Sequence, residues 1–316
     1  MAQVIRPAVT TPPTDKGQSF KLVVFKRFFS SKVNLVAFVV LMLITLISLG
    51  ANFVCGTLLG QAYDTIDLPL LNQLFPQQPP YPPGLGGHLL GTDYIIRDVL
   101  ARTIYGGQVT LAVGYLTAII VIVIGGGLGI LTGYVGGWVD ALIGGLMQIL
   151  VNLPIFFLMI ILSFIVRFSI LNIALIIGLL SWVGTARLVR AQVQSLRNRE
   201  FIEAARVMGA GNLRIMFVHL LPNVLFSMVV MVGFDVGAAI VMEAGLSVLG
   251  FGVQIPIPSW GNQIAQSKSE WETNPALWAL FVTLLSLYLV ASGLRDALDP
   301  NSQQIKIAKK KKEKAL

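Results

Sequence analysis

The chain has 316 residues, 55% of them hydrophobic and only 12% charged, with a formal net charge of +8. Soluble domains carry about 25% charged residues, so an ordinary water-soluble globular class is excluded and lipid is the expected solvent. A single cysteine, Cys55, excludes an internal disulfide and a cysteine-built metal site, and reads as a small apolar filler.

In chain order, residues 1–20 are polar with Pro12-Pro13, a composition that builds no packed core. Residues 21–32 form a short basic, partly amphipathic approach to the first apolar run. That run, 33–63, carries no charge. It is too long for a secretory h-region and lacks a small-residue cleavage site, so it reads as an uncleaved first span at about 33–55. Residues 56–102 contain FPQQPPYPPGLGG, and these prolines predict extended loop with turns. A second span is expected at about 107–131, its glycine cluster (Gly125 to Gly137) serving close helix packing or a tight turn. The third, about 140–165, is expected to kink at Pro154, and the fourth runs over about 169–187. A basic loop follows, then a fifth span at about 224–246, apolar except for Asp235 and Glu243. A second loop, about 247–275, leads to a sixth span at about 276–294. Each run meets the roughly 20 apolar residues a helix needs to cross the hydrocarbon core. The fold class is therefore all-α, a polytopic membrane protein with six transmembrane helices.

The cations set the orientation. Six Lys/Arg lie in residues 1–32, six in 187–222 and seven from Arg295 to Lys314; the other four are Arg97, Arg102, Arg167 and Lys268. With six spans these three basic segments share one side, which the positive-inside rule makes cytoplasmic, so both termini are expected inside. The rule also accounts for the net charge. Nucleic acid is not an expected partner, because the cations are split among three juxtamembrane segments, and the terminal KKKKEK reads as a solvated run near anionic lipid headgroups.

Nothing in the chain suggests catalysis. There is no GxxxxGK[ST] phosphate loop, and the two histidines, His88 and His219, offer neither metal-pair spacing nor a triad. They read as a hydrogen-bonding loop residue and a structural residue at a helix end.

The basic loop holds the most informative stretch, EFIEAARVMGAGNLRIMFVHLLPN, residues 200–223. Phe201, Ile202, Ala205, Met208 and Gly209 make an apolar and small stripe at helical spacing. Gly209 and Gly211 end the helix, and Pro222 opens the fifth span. A short surface helix of this kind suits docking in a groove; an ordinary solvated loop with positive-inside arginines reads equally well from the residues alone.

Glu203-Ala204-Ala205, Gly209 and Leu221-Pro222 at these spacings resemble the EAA motif of bacterial ABC importer permeases, with His219 in the usual Ile position. HLLGTDYIIRDVLARTIYGGQVTLAVG, GGWVD (136–140), EAGLSVLGFGVQIPIPSWG (243–261) and GLRDALDP (293–300) extend the likeness over roughly residues 20–300. Together they resemble the second permease of the dipeptide/oligopeptide/nickel importer family. The resemblance implies an ABC type I importer permease fold over 33–300, between a cytoplasmic tail (1–32) and a basic tail (301–316), with an EAA coupling loop at about 188–222. It implies a location in the bacterial cytoplasmic (inner) membrane. It further implies a second homologous permease, two ATP-binding cassette ATPase subunits that use ATP and magnesium, and an external substrate-binding protein; this chain itself is expected to bind no cofactor and to catalyse nothing. In the coupling helix, Glu203 and Arg206 are expected to make polar contacts, Ala204, Ala205 and Gly209 to permit close approach, and Pro222 to mark the junction with the fifth span.

The chain departs from the family pattern at Ile96, where glycine is usual, at Gln108, where arginine is usual, and at Gly145 and Gln148, where an Arg and an Asp often stand. The last two remove a charge pair together, which avoids one unpaired buried ion. Asp235 and Glu243 lie about 80° apart on a helix. An ionised group in lipid normally faces a partner or water, so both are candidates for the translocation path, against pairing with a partner subunit or capping the helix. Peptide is the expected cargo, with nickel or another small solute as the alternative. A secondary transporter or channel is less favoured, since a self-sufficient carrier has no use for a docking joint.

Overall fold

The computed structural model describes residues 20–74, 77, 79–166, 169–267 and 274–298. Arg167, Lys268, residues 1–19, the last two residues of GLRDALDP and the basic tail 301–316 lie outside the described residues. Among the described residues the chain is helical without a strand; one isolated bridge joins Thr92 and Asp98.

Helix α1 (Phe20–Ser30) turns at Ser31, whose hydroxyl caps α2 (Lys32–Leu49) by accepting from the Asn34 amide. Val24 and Phe28 of α1 pack against Ala297 near the end of the last helix. A wider helical stretch, Asn52–Leu59, carries α2 on to Gly60. The proline-rich segment is not all extended: α3 (Leu68–Leu74) forms before the prolines, and a 3-10 turn, Leu85–Gly87, follows them.

Asp98 caps α4 (Val99–Val121), accepting from the Ala101 amide at 2.6 Å. A wide turn at Ile122–Gly126 then passes into α5 (Gly127–Val135), and the whole is one helix of 37 residues. The second span is thus longer than 107–131. The turn sits only at Gly136 and Gly137, both with positive φ (67° and 55°), where glycine has no Cβ to clash. The cluster before it serves close packing. A Cβ on Gly129 would lie 2.7 Å from the Ala186 carbonyl, and one on Gly133 2.7 Å from the Val193 Cβ.

The expected single third span is two helices, α6 (Gly137–Asn152) and α7 (Ile155–Ile165), bent by 91°. Pro154 does more than kink it: Leu153 before it is extended (ψ 140°), as a residue preceding proline prefers. The fourth span is also broken, into α8 (Ile170–Ser181) and α9 (Val183–Leu196), bent by 46°, and continues nine residues past position 187. Next come α10 (Glu200–Val207), α11 (Asn212–Arg214), α12 (Leu221–Val248), α13 (Trp260–Gln266) and α14 (Pro275–Leu298). A wide turn at Ile215–Leu220 fuses α11 to α12, so the fifth span begins at Asn212 and Pro222 lies within it. Proline removes one backbone N–H and crowds the preceding turn, which fits the widened backbone just before it.

Among the described residues four helices are long and apolar enough to cross a membrane (Lys32–Leu49, Val99–Val135, Asn212–Val248 and Pro275–Leu298), and six spans result if each bent pair counts as one. Helix satisfies every backbone group internally, as lipid demands. Val113, Ile177, Ala239 and Leu246 bury α4, α8 and α12 against one another. Ile130, Val189, Val193, Ile202, Ile215 and Leu220 close a second core around α5, α9, α10 and α12. Outward residues such as Val36, Leu43, Phe157 and Ile161 remain exposed, as a lipid-facing surface requires.

Candidate functional site

The candidate site is the projection between α9 and α12. Glu200 and Glu203 occupy the first turn of α10 and Arg206 the last, matching the helix dipole at both ends. Gly209 ends the helix with φ 84°; the Ala210 amide returns to the Ala205 carbonyl and the Gly209 amide to the Arg206 carbonyl. This is the closure that a left-handed residue after a helix makes possible. Ile202 is buried in a cluster with Ile215 and Leu220, and Ala205 is buried as well, so α10 is seated on the body of the protein.

The opposite face is open. Glu203, Ala204, Arg206 and Gly209 are exposed, together with Val207 at 89% and Met208 at 80%. Leu213 and Phe217, after the Gly209 turn, are exposed as well. Of the residues expected to permit close approach, Ala204 and Gly209 lie outward, whereas Ala205 is turned into the chain's own core. Pro222 is exposed on the helix, and the Asn223 side chain donates to the His219 carbonyl at 2.6 Å.

Sequence reasoning missed what holds this projection. The Arg206 guanidinium sits 5.5 Å from the centre of the Tyr134 ring, and the Tyr134 hydroxyl donates to Asn212 Oδ1 at 2.9 Å. One aromatic residue at the end of α5 thus touches both ends of the Gly209 turn. Arg197 donates to the Gly133 carbonyl at 3.3 Å, and Arg190 donates twice to Asp140, at 2.6 and 2.7 Å. GGWVD is therefore the corner that ties α5 and α6 to α9. Its recurrence as a motif was the available signal; its partners 50 residues on were not readable.

The departures also find places. Gln148 accepts from Arg187 at 3.3 Å, a neutral acceptor where a carboxylate would complete an ion pair. Gly145 faces open space. Gln108 lines an apolar recess with Thr45, Ser48, Leu111 and Tyr115. Ile96 has φ 62°, in the region that favours glycine, yet is buried with Leu70 and Tyr81.

The two carboxylates of α12 separate sharply. Glu243 is fully buried; it accepts from Ser247 at 2.6 Å and Thr110 at 3.3 Å. Thr110 accepts from the Trp260 amide, and Ser247 from the Val253 amide. Glu243 is thus the centre of a closed polar node that pins the segment before α13 onto α4 and α12, and it faces no open surface. Asp235 is half-buried and accepts one side-chain bond, from Thr185 just past the α8–α9 bend, at 3.0 Å.

At the same end as α13, His88 bridges two helix caps. Its Nδ1 is 2.8 Å from Asp98 and its Nε2 3.3 Å from Asp67, which caps α3. This agrees with a hydrogen-bonding loop residue.

The family described as "Binding-protein-dependent transport system inner membrane component" matches residues 125–304. The oligopeptide transport system permease protein OppC of Haemophilus influenzae is 38% identical over 223 residues, covering 69% of this chain and 72% of that protein. OppC of Mycobacterium tuberculosis is 34% identical over 295 residues (91% and 97%). OppC of Escherichia coli K12 is 36% identical over 284 residues (88% and 90%). The matched region holds both the projecting helix and the span that bears Asp235. With its apolar helices, the chain is a multi-pass inner-membrane protein, and it belongs to the family of binding-protein-dependent transport system inner membrane components.

Proposed function

We propose that this chain is one of two homologous membrane subunits of an ATP-driven importer of di- and oligopeptides. The observation that carries the reading is the α10 projection: one face is locked into the chain's core, and the other offers Ala204, Val207, Met208 and Gly209 outward. Exposed apolar residues at a helix end favour a protein partner. Here that partner is an ATPase of the ATP-binding cassette type, two of which hydrolyse ATP with magnesium while this chain catalyses nothing. An external binding protein delivers cargo. Peptide cargo is supported by the OppC relatives.

Both termini and the α10 loop lie in the cytoplasm, as the arginine and lysine distribution supports. Closure of the ATPase pair pushes on α10. The push reaches α12 through the Gly209 turn and reaches α5 and α9 through Tyr134 and Arg197, so the helices move as a packed unit.

The test is co-purification of tagged protein from native membranes in mild detergent, followed by reconstitution with the binding protein. Recovery of a second permease and ATPase subunits, with ATP-dependent uptake of trialanine, is the expected result. Recovery of the chain alone, active in ion or proton flux, would overturn it. Uptake of nickel and not of peptide would overturn the cargo.

A further inference from the structure

We propose that Asp235 is the counter-charge in the translocation path for the ammonium end of the moving peptide, with Thr185 as its positioning residue; this rests on the peptide-importer reading above.

Asp235 lies inside the Asn212–Val248 span, between the apolar neighbours Phe234 and Val236. A carboxylate inside a membrane is costly unless something answers it, and such residues mark pathways or pairings. Among the described residues the side-chain donor that answers it is the Thr185 hydroxyl, a neutral group, at 3.0 Å. Among the described residues no lysine, arginine or histidine forms an ion pair with Asp235.

Glu243 on the same helix supplies the contrast. Its carboxylate is enclosed and receives hydroxyl donors from two sides, with α4 and α12 closed around it. Asp235 is left half-open. Part of its surface stays accessible, whereas Glu243 has none. Thr185 is itself fully enclosed and sits just past the break at Trp182, so the hydroxyl that aims the carboxylate is fixed.

An open carboxylate held by one neutral donor calls for a mobile cation. The N-terminal ammonium is the cation shared by unmodified peptides of every sequence. A single charge-assisted contact is strong enough to orient the peptide and, without a surrounding cage, weak enough to release it.

The test uses the complete importer in proteoliposomes, comparing the native chain with Asp235→Asn, Asp235→Glu and Thr185→Val. Uptake is measured for trialanine and for N-acetyltrialanine, each loaded onto the binding protein at saturation, beside ATP hydrolysis and subunit recovery. The expected result is that Asp235→Asn keeps its partners and its stimulated ATP hydrolysis but takes up trialanine about tenfold more slowly. N-acetyltrialanine is moved at the native rate, Asp235→Glu restores most of the trialanine uptake, and Thr185→Val falls between. Equal loss for both peptides, or unchanged trialanine uptake, would overturn the proposal. So would loss of the second permease from the Asp235→Asn complex, which would make Asp235 an inter-subunit ion pair. Absence of trialanine uptake by the native importer would overturn the peptide reading itself.

Discussion

Asp140 and Arg190 are joined by two parallel hydrogen bonds of 2.6 and 2.7 Å, and through them the corner after α5 is fixed to the extension of α9 that leads into α10. The pair is partly exposed, so its contribution is that of a well-aligned but screened fork, about 1 kcal/mol. Asp140→Asn is expected to lower the midpoint of thermal unfolding in detergent by a few degrees. Arg190→Lys should recover little of the loss made by Arg190→Ala, because an ammonium cannot supply the planar fork. Full recovery by lysine would reduce the pair to a point-charge contact.

Gly209 presents a different kind of constraint. Its φ of 84° strains any other residue, yet no atom lies near the position of a Cβ. Gly209→Ala is therefore expected to cost about 1 kcal/mol through the backbone alone and to retain partial uptake. Gly209→Trp has room within the isolated chain but fills the outward face. It should appear in the membrane at native abundance by immunoblot and carry no uptake. Normal uptake by Gly209→Trp would remove the α10 face from the coupling interface.

Ile96 sets backbone strain against burial. Relief of its positive φ by Ile96→Gly gains about 1–2 kcal/mol. Loss of a buried isoleucine from the Leu70–Tyr81 cluster costs about 2–5 kcal/mol. Burial wins, so Ile96→Gly should be less stable than the native chain, by thermal unfolding in detergent, even though glycine suits the backbone. A higher midpoint would show that the cluster contributes little.

Removal of Glu243 strands its two hydroxyl donors inside the protein. Glu243→Ala should cost about 2–3 kcal/mol and expose the segment around 250–258 to limited proteolysis. Glu243→Gln keeps an acceptor in place and should restore most of the resistance. If alanine leaves the cleavage pattern unchanged, the Thr110–Glu243–Ser247 node does not hold that segment.

Hydropathy and charge placed the lipid-immersed runs and the basic loop directly, because lipid immersion acts on each segment through its own composition. The EAA spacing likewise located α10 and its Gly209 stop, both local properties. Helix breaks were less legible. Pro154 announced a disturbance but not a 91° bend, and the break at Trp182 has no proline to mark it. The run from Gly125 to Gly133 reads as turn or packing face alike until α9 lies against it.

By itself, then, the sequence determined that this is a helical membrane protein with a short Ala/Gly-rich helix in its basic loop. Only the tertiary structure decided which side of that helix is free and which α12 carboxylate is open. Glu243 and Asp235 are alike in the sequence, acids on one apolar helix. What separates them is distant: Thr110, 133 residues from Glu243, helps enclose one, and Thr185, 50 residues from Asp235, merely aims the other. Composition reports what a side chain is, but its desolvation depends on which neighbours the fold brings to it.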